Sequence, residues 1–290
     1  MDALQAMLGE EIQDAYEETF DLFSRAAALP NLGMVDATAT ELDLSIAGKD
    51  FTVRQSPGLL QSRQKLGTTG AAVWQTSVRL AEWLALPDNA LWKHGVLAGS
   101  STVLELGAGT SGILAAVLAS KVHRVVATDQ QHVLKLLRIN LDANAPTPLK
   151  APRRKVQTAG REAQANGSVS TLALDWELDD VTKQLRSNGL GAGVDLVLAC
   201  DCIFNYALIE PFVQACHDAC DIGRRDNEGR VEDGPQTLCL VAQQLRQSEV
   251  FEQWLAAHLA LFRVWRVPSE LLNEGLNEGN GFALHIGILR

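Results

Sequence analysis

The chain has 290 residues, of which 47% are hydrophobic and 21% are charged, and its formal net charge is −10. This composition is ordinary for a globular protein, and the length suits one elaborated domain or a core with an extension. The acidic balance argues against a surface that binds duplex nucleic acid, because such a surface relies on clustered Lys and Arg. No apolar stretch reaches membrane-spanning length, so we expect no contact with a membrane.

The N-terminal third of the sequence predicts a helix, a β-hairpin and a second helix. Apolar residues near helical spacing indicate a helix over residues 2–28. Alternating apolar residues on both sides of a turn at 47–50 predict a hairpin over 41–55. A strong helix is predicted over 72–86, where a proline follows.

From residue 101 onwards, strands and helices alternate. We therefore predict an N-terminal extension, 1–95, packed on a core of residues 96–290. The alternation predicts an α/β fold with a doubly wound, mostly parallel, seven-stranded sheet. The last two strands have no long helix between them, so they should form a hairpin with the last strand antiparallel. The predicted strands are 102–106, 124–128, 170–174, 194–200, 237–242, 262–267 and 281–289, and the predicted helices are 110–120, 130–143, 178–187, 207–221 and 248–261.

Two polar segments interrupt this alternation, at 144–169 and 223–235. They offer little apolar surface, so we expect surface insertions with little order. The first segment carries Lys150, Arg153 and Arg154, which leaves contact with an acidic partner as an alternative interpretation.

The cysteines and histidines indicate no metal site. The five cysteines have no spacing typical of metal ligands, so we expect buried reduced thiols. The six histidines are scattered and form no metal-binding pair. The N-terminal Met-Asp-Ala-Leu-Gln lacks a basic region ahead of an apolar one, so we expect no signal peptide. A cytoplasmic location is predicted, and a nuclear one is also open.

The most informative stretch is residues 103–112, Val-Leu-Glu-Leu-Gly-Ala-Gly-Thr-Ser-Gly. Gly107, Gly109 and Gly112 let the backbone approach a ligand and present a helix N-terminus to it. Enzymes that bind NAD share this glycine spacing, so it is weak evidence by itself. Glu105 is less expected, because a carboxylate at the end of a buried strand costs free energy unless it meets a partner. A cationic or amine-bearing ligand would supply one.

Acidic residues also end other predicted strands, where open α/β sheets bind ligands. Asp129 lies 22 residues after Gly107, a spacing that suits a carboxylate on ribose hydroxyls. Asp175 could bond an adenine amine while Trp176 packs on the ring. Asp201 ends the central strand, which favours a role in the site. The alternative for each aspartate is a helix cap, and for Trp176 it is core packing.

Two tryptophans of the predicted 72–86 helix are nine residues apart, so they do not share a face. Trp83 is predicted to lie in the core. Trp74 lies close to the glycine-rich segment 67–70 and could close a cofactor pocket, with core packing as the alternative.

Together these motifs resemble the seven-β-strand, S-adenosylmethionine-dependent methyltransferases, and within them the family-16 protein lysine methyltransferases. The similarity covers roughly residues 68–290. The matching stretches are Gly70-Ala71-Ala72-Val73-Trp74, Trp83-Leu84, Leu104-Glu105-Leu106-Gly107-Ala108-Gly109-Thr110-Ser111-Gly112, Ala127-Thr128-Asp129, Leu174-Asp175-Trp176 and Ala199-Cys200-Asp201-Cys202-Ile203-Phe204. The N-terminal helix and hairpin suggest the fungal members that methylate translation elongation factor 1-alpha.

The resemblance implies a class I methyltransferase, Rossmann-like fold, S-adenosyl-L-methionine as the cofactor, and a protein substrate. Asp201 and Phe204 would occupy the Asp-x-x-Tyr motif beside the target amine, and they are the predicted catalytic residues. Phe204 replaces the usual tyrosine, so a role for a phenolic hydroxyl is absent while an aromatic wall remains. The resemblance places Trp74, Glu105, Gly107, Asp129, Trp176 and Ala199 around the cofactor, and Gly109 and Asp175 complete the predicted cofactor-binding set.

Three rival functions stay open. An NAD-dependent oxidoreductase shares the glycines and Asp129, but it does not explain Glu105 or Asp175. A cofactor-binding protein that acts by partner contact, without turnover, is compatible with Phe204 in place of tyrosine. A small-molecule methyltransferase is the third rival, because a fold does not determine its substrate.

Overall fold

The computed structural model describes residues 6–26, 33–60, 69–145, 167–224 and 236–290. Its helices are α1 (Ala15–Arg25), α2 (Pro57–Leu60), α3 (Gln75–Ala85), α4 (Ala90–Lys93), α5 (Ile113–Leu118), α6 (Leu134–Asn144), α7 (Val181–Leu185), α8 (Tyr206–Asp221) and α9 (Ser248–Leu261). Its strands are β1 (Glu41–Ile46), β2 (Lys49–Arg54), β3 (Thr102–Leu106), β4 (Arg124–Asp129), β5 (Ser168–Ala173), β6 (Leu196–Cys200), β7 (Leu238–Gln244), β8 (Phe262–Arg266) and β9 (Phe282–Leu289).

Seven strands form one sheet in the order β5-β4-β3-β6-β7-β9-β8. Strands β3 to β7 pair in parallel, and β9 runs antiparallel to both β7 and β8. The predicted fold class, the seven-stranded sheet and the antiparallel last strand are therefore confirmed. The strand order reverses at β3, which has β4 on one side and β6 on the other. Open α/β sheets bind their ligands at such a switch point, beyond the carboxyl ends of the strands.

Each face of this sheet has its own apolar core. Successive side chains of a strand point to opposite faces, so Val103 of β3 lies in one core and Leu104 in the other. Helices α3, α5 and α6 contribute to the first core, while α1, α7, α8 and α9 contribute to the second. Every residue of the central strand β6 is buried, because parallel strands covered on both faces carry continuous apolar runs.

The N-terminal segments pack on this sheet. Phe51 of the hairpin lies in the first core, and the side chain of Asn140 on α6 bonds both the N–H and the C=O of Arg54 at 2.9 Å. On the other side, Glu18 of α1 accepts a hydrogen bond from buried His285 at 3.0 Å. The hairpin is confirmed, and the domain boundary at residue 95 stays a prediction.

The continuous helix expected over 2–28 is wrong for the described residues. A helical turn at 6–8 ends before Gly9, whose φ is +82°. Helix α1 begins only at Ala15, because the carboxylate of Asp14 accepts the N–H groups of Tyr16 and Glu17 and so caps the helix. Residues 2–5 and 27–28 lie outside the described ranges.

Helix α3 begins three residues later than predicted. The backbone before the helix is extended because it pairs with segment 33–35. Val35 N–H donates to Val73 O at 2.9 Å, and Gln75 N–H donates to Gly33 O at 2.7 Å. Trp74 therefore lies at the N-cap position of α3 rather than inside the helix.

Most of the two predicted insertions, residues 146–166 and 225–235, lies outside the described ranges. The first insertion ends earlier than expected, because β5 already begins at Ser168. All five cysteines are free and buried, as predicted. Trp83 is buried in the first core, as predicted, and its Nε1 donates to Leu271 O. Across the ranges that the structure covers, no helix is both long and apolar enough to span a bilayer.

Candidate active site

The glycine turn follows β3 at the switch point of the sheet. Gly107 and Gly109 have φ values of +71° and +61°, a region that L side chains rarely adopt. A Cβ atom added to Gly107 would lie 2.8 Å from Cys202 Sγ and 3.2 Å from the Trp176 ring. Thr110 N–H donates to Gly70 O at 2.7 Å, so the segment before α3 lies against the turn. The site thus needs glycine at 107 for both conformation and space.

Asp129 ends β4 and holds the glycine turn. Its Oδ2 accepts the Gly109 N–H at 2.8 Å, and its Oδ1 accepts the Gln130 N–H at 2.8 Å. Burial raises the pKa of this carboxyl, and the two backbone donors oppose that rise. The cap-like contact with Gln130 is present, and the ribose contact expected from the sequence stays a prediction.

Glu105 is a buried carboxylate with an unsatisfied oxygen. The residue is 3% exposed, and its Oε2 has no hydrogen-bond partner among the described residues. Burial raises its pKa to about 8, the negative charge of Asp129 adds to the rise, and the Ala115 backbone N–H opposes it. An ionised carboxylate here lacks a compensating charge, so the position fits a ligand that brings a cationic amine.

Asp175 and Trp176 follow β5 on the same edge of the sheet. Asp175 accepts Gln130 Nε2 at 2.9 Å and the Glu177 N–H at 3.0 Å. Trp176 packs on Phe212 with 5.2 Å between ring centroids, and its Nε1 is buried with no hydrogen-bond partner in the described part of the chain. The structure places Trp176 beside the glycine turn and Asp175 against Gln130, and their adenine contacts stay predictions.

Ala199 lies inside β6, where it pairs with Leu106 of β3 and Val241 of β7. Its side chain is fully buried in the second core. Its predicted contact with the cofactor stays a prediction.

Asp201 follows β6 in the left-handed region, with φ +59°. Its N–H donates to Ala242 O at 2.7 Å. Its carboxylate accepts Arg246 Nη1 at 2.7 Å, Arg246 Nη2 on the other oxygen, and the Gln244 N–H at 3.3 Å. Helix α8 is capped by Asn205 instead, whose side chain accepts the Ala207 N–H. The interpretation of Asp201 as a simple cap is therefore wrong.

A cavity of about 240 Å³ brings three predicted residues together: Trp74, Asp201 and Phe204. Trp74 is fixed by its Nε1, which donates to Thr69 O at 3.0 Å. Phe204 is 39% exposed at the cavity wall. The complete lining is Met34, Thr69, Trp74, Asp201, Ile203, Phe204, Gln243, Gln244, Arg246, Gln247, Val250 and Phe251.

Sequence reasoning missed Arg246, which contributes a guanidinium to this cavity. Its Cζ lies 4.9 Å from the centre of the Trp74 ring, and its Nη2 donates to Gln244 Oε1 at 2.9 Å. The sequence did contain a signal for it. The polar residues Gln243, Gln244 and Arg246 follow the predicted strand 237–242, just as Asp129 follows the predicted strand 124–128. Gln130, which bonds Asp175, was also missed. Met34 carried no comparable signal.

The strand order, the glycine turn and the acidic strand ends place the chain in the class I methyltransferase fold. A family profile described as lysine methyltransferase matches residues 54–224, more than half of the chain. The chain belongs to this lysine methyltransferase family.

Individual proteins are similar to the chain over most of its length. Ribosomal lysine N-methyltransferase 5 of Zygosaccharomyces rouxii is 32% identical over 230 residues, which cover 71% of this chain and 69% of the relative. A Schizosaccharomyces pombe protein named diaminohydroxyphosphoribosylamino-pyrimidine deaminase is 30% identical over 265 residues, covering 91% of this chain. The chain spans only 55% of that relative's length. A solved SAM-dependent methyltransferase from Agrobacterium tumefaciens has a TM-score of 0.46 and 13% identity, with 91% of this chain and 77% of that chain covered.

The cofactor of this family is S-adenosyl-L-methionine. Two observations show that the residues present fit it. The first is the buried oxygen of Glu105 without a hydrogen-bond partner, which suits the cofactor's amine. The second is Gly107, which has no Cβ and so leaves its backbone accessible beside Trp176. Within the described ranges, no group of three His, Cys, Asp or Glu residues is arranged to hold a metal ion.

Proposed function

We propose that this lysine methyltransferase acts on a protein of the translation apparatus, and that its substrate is a lysine of a ribosomal protein. The names of several relatives, ribosomal lysine N-methyltransferase 5 in different yeasts, support a ribosomal substrate. Translation elongation factor 1-alpha, which the sequence resemblance suggested, is the second candidate substrate.

The observation that carries the proposal is the cavity formed by Trp74, Asp201 and Phe204. The rings of Trp74 and Phe204 suit an aliphatic lysine side chain, and their faces attract a methylated ammonium group. Asp201 accepts hydrogen bonds, so it can orient an amine through its N–H groups. Aromatic side chains for the aliphatic part of a lysine and an acceptor for its amine therefore line the same cavity.

The chain's own residues have a limited chemical task. The bound cofactor supplies an already activated methyl group, so catalysis rests mainly on aligning the amine with it. A lysine amine with a reference pKa of about 10.4 must first lose its proton. Desolvation between Trp74 and Phe204 favours the neutral amine. Around the cofactor, Asp129 holds the glycine turn in place and Glu105 offers its buried carboxylate.

The test is methyl transfer from radiolabelled S-adenosyl-L-methionine to two purified substrates. One arm contains yeast ribosomal subunits prepared without endogenous methylation, and the other contains unmethylated elongation factor 1-alpha. We expect label in a ribosomal protein. Label in elongation factor 1-alpha alone would move the substrate to the second candidate. Label in small molecules and in neither protein would support the small-molecule rival and overturn the proposal.

Two substitutions of aspartate by alanine form a matched pair, one inside the cavity and one outside it. Asp201→Ala removes the acceptor in the cavity. Asp43→Ala removes an exposed carboxylate of the hairpin, whose bond to Thr52 lies outside the cavity. Loss of label with the first variant and retention with the second tie the transfer to the cavity.

A further inference from the structure

Arg246 and Asp201 form an ion pair inside the proposed lysine pocket. Both terminal nitrogens of the guanidinium bond the carboxylate, one to each oxygen. The side chains of Asp201 and Arg246 are 2% and 19% exposed, so water screens the pair weakly. Trp74 stacks under the guanidinium, and Gln244 accepts a further bond from it. Asp201, Trp74 and Gln244 therefore hold the guanidinium in place together.

This pair matters because a bare carboxylate would oppose the reaction. A negative charge within about 4–6 Å of an amine raises the amine's pKa by about 1–3 units. A lone Asp201 would thus hold the substrate lysine as an ammonium ion, which has no free electron pair for the methyl group. A carboxylate paired with Arg246 still accepts N–H bonds, yet the pair carries no net charge.

We propose that Arg246 is a positioning residue that fixes Asp201 and cancels its charge, so that the lysine amine enters the pocket neutral. This inference rests on the proposed function, because it assigns a role within the same lysine pocket. Arg246 touches Asp201 and Trp74, and it acts on the amine through them.

Other ionisable groups lie near Asp201, on its own segment and on neighbouring strands, and they are common to every variant tested. Burial raises the pKa values of the Cys200 and Cys202 thiols, which favours their neutral form. Glu105 on β3 interacts electrostatically with both thiols, and Asp129 on β4 interacts with Cys202. A difference between variants therefore reports the Arg246–Asp201 pair.

The first experiment measures single-turnover methyl transfer to the protein substrate from pH 6 to 10, at saturating cofactor and substrate. These conditions report ionisations in the bound complex. The rate should rise with pH as the bound amine loses its proton. For Arg246→Gln we expect this rising limb of the rate–pH profile to lie at a pH higher by about one unit or more than in the wild type. The rate at pH 7 should then be at least about tenfold lower than that of the wild type. Arg246→Lys should keep the limb near its wild-type position. A loss of rate by the same factor at every pH would overturn the proposal.

The double variant Arg246→Gln/Asp201→Asn separates charge from structure. It removes both charges, so its rising limb should return toward the wild-type pH although its maximum rate is lower. A limb that stays displaced would contradict charge cancellation. Arg263→Gln is the matched control, because it breaks an exposed ion pair with Glu11. Its profile should coincide with that of the wild type. Cofactor affinity and melting temperature identify any variant that fails to fold.

A second experiment does not need the protein substrate. ¹⁵N-labelled n-butylamine, which has the length of a lysine side chain, is titrated by NMR in the presence of saturating S-adenosyl-L-homocysteine. We expect the bound amine to lose its proton at lower pH in the wild type than in Arg246→Gln. If the bound amine titrates at the same pH in both proteins, the inference is overturned. It is also overturned if the amine does not bind, or if its binding survives Phe204→Ala. A positive result here without any protein methylation would instead count against the proposed substrate alone.

Discussion

The carboxylate of Asp129 accepts the backbone N–H of Gly109 at 2.8 Å. This bond joins the carboxyl end of β4 to the turn that follows β3, so a single side chain holds two neighbouring strand ends at the switch point. The other oxygen of Asp129 bonds the Gln130 N–H, and Gln130 in turn bonds Asp175. The predicted cofactor-binding residues on three strands are therefore linked before any ligand is bound.

We predict that Asp129→Ala weakens cofactor binding by about 1–3 kcal/mol, because it leaves the Gly109 N–H and polar ligand groups unpaired. Asp129→Asn should lose less, since its amide oxygen can still accept one N–H bond. Calorimetric titration with S-adenosyl-L-methionine and S-adenosyl-L-homocysteine measures the effect. An unchanged dissociation constant in Asp129→Ala would show that the residue does not contribute to the site.

Gly107→Ala should abolish cofactor binding and destabilise the fold. Its new Cβ would lie 2.8 Å from Cys202 Sγ and 3.2 Å from the Trp176 ring. Gly48→Ala is the matched control, because Gly48 has a similar φ of +76° with nothing within 4 Å of the added atom. The control should cost only the left-handed strain of about 1–2 kcal/mol. Denaturant unfolding and calorimetry compare the two variants, and equal losses would show that crowding at Gly107 is unimportant.

Glu105 should make the stability of the cofactor-free protein depend on pH. Its pKa is about 8 in the fold against an ordinary value of 4.5, so the folded state binds more protons between these values. Its contribution is complete below about pH 4.5 and is lost as the pH rises through about 8, at up to about 1.4 kcal/mol per unit. Glu105→Gln should therefore gain stability relative to the wild type as the pH rises from 5 to 8.5. Parallel unfolding curves across that range would refute the shifted ionisation.

Phe204→Tyr should remain active, because it keeps an aromatic wall and restores the residue that the resembling family usually carries. Phe204→Ala should lose most of its activity, since the cavity would open to water and desolvation of the amine would weaken. Tyr206→Ala is the control, because Tyr206 is 52% exposed and does not line the described cavity. Methyl transfer and cofactor affinity are measured for all three. Full activity in Phe204→Ala would remove the aromatic wall from the account.

The sheet was predictable because its signal is local. The buried parallel strands carry continuous apolar runs, and their predicted bounds differ from the observed ones by only one or two residues at most ends, as for 237–242 against Leu238–Gln244. The expected helix over 2–28 failed because two local features outweigh its apolar spacing. Gly9 adopts a positive φ, and Asp14 starts a separate helix by capping it.

The positions of Glu105, Asp129 and Asp201 at the carboxyl edge of the sheet were predictable, because each residue lies at the end of one strand. The Arg246–Asp201 pair was not, because it joins residues 45 positions apart through the loop after β7. The late start of α3 at Gln75 has a similar cause, since Gly33 and Val35 supply the pairing that extends the preceding backbone. Such contacts depend on tertiary structure, and no periodicity in the chain encodes them.

The most direct measurement of the central claim is the chemical identity of the methylated residue. Ribosomal subunits are incubated with the enzyme and labelled S-adenosyl-L-methionine, and the labelled protein is digested and analysed by mass spectrometry. The account predicts a methylated lysine with wild-type enzyme, and with Asp201→Ala a rate lower by at least about 10²-fold at nearly unchanged cofactor affinity. A label on a residue other than lysine, or full activity in Asp201→Ala, would contradict it.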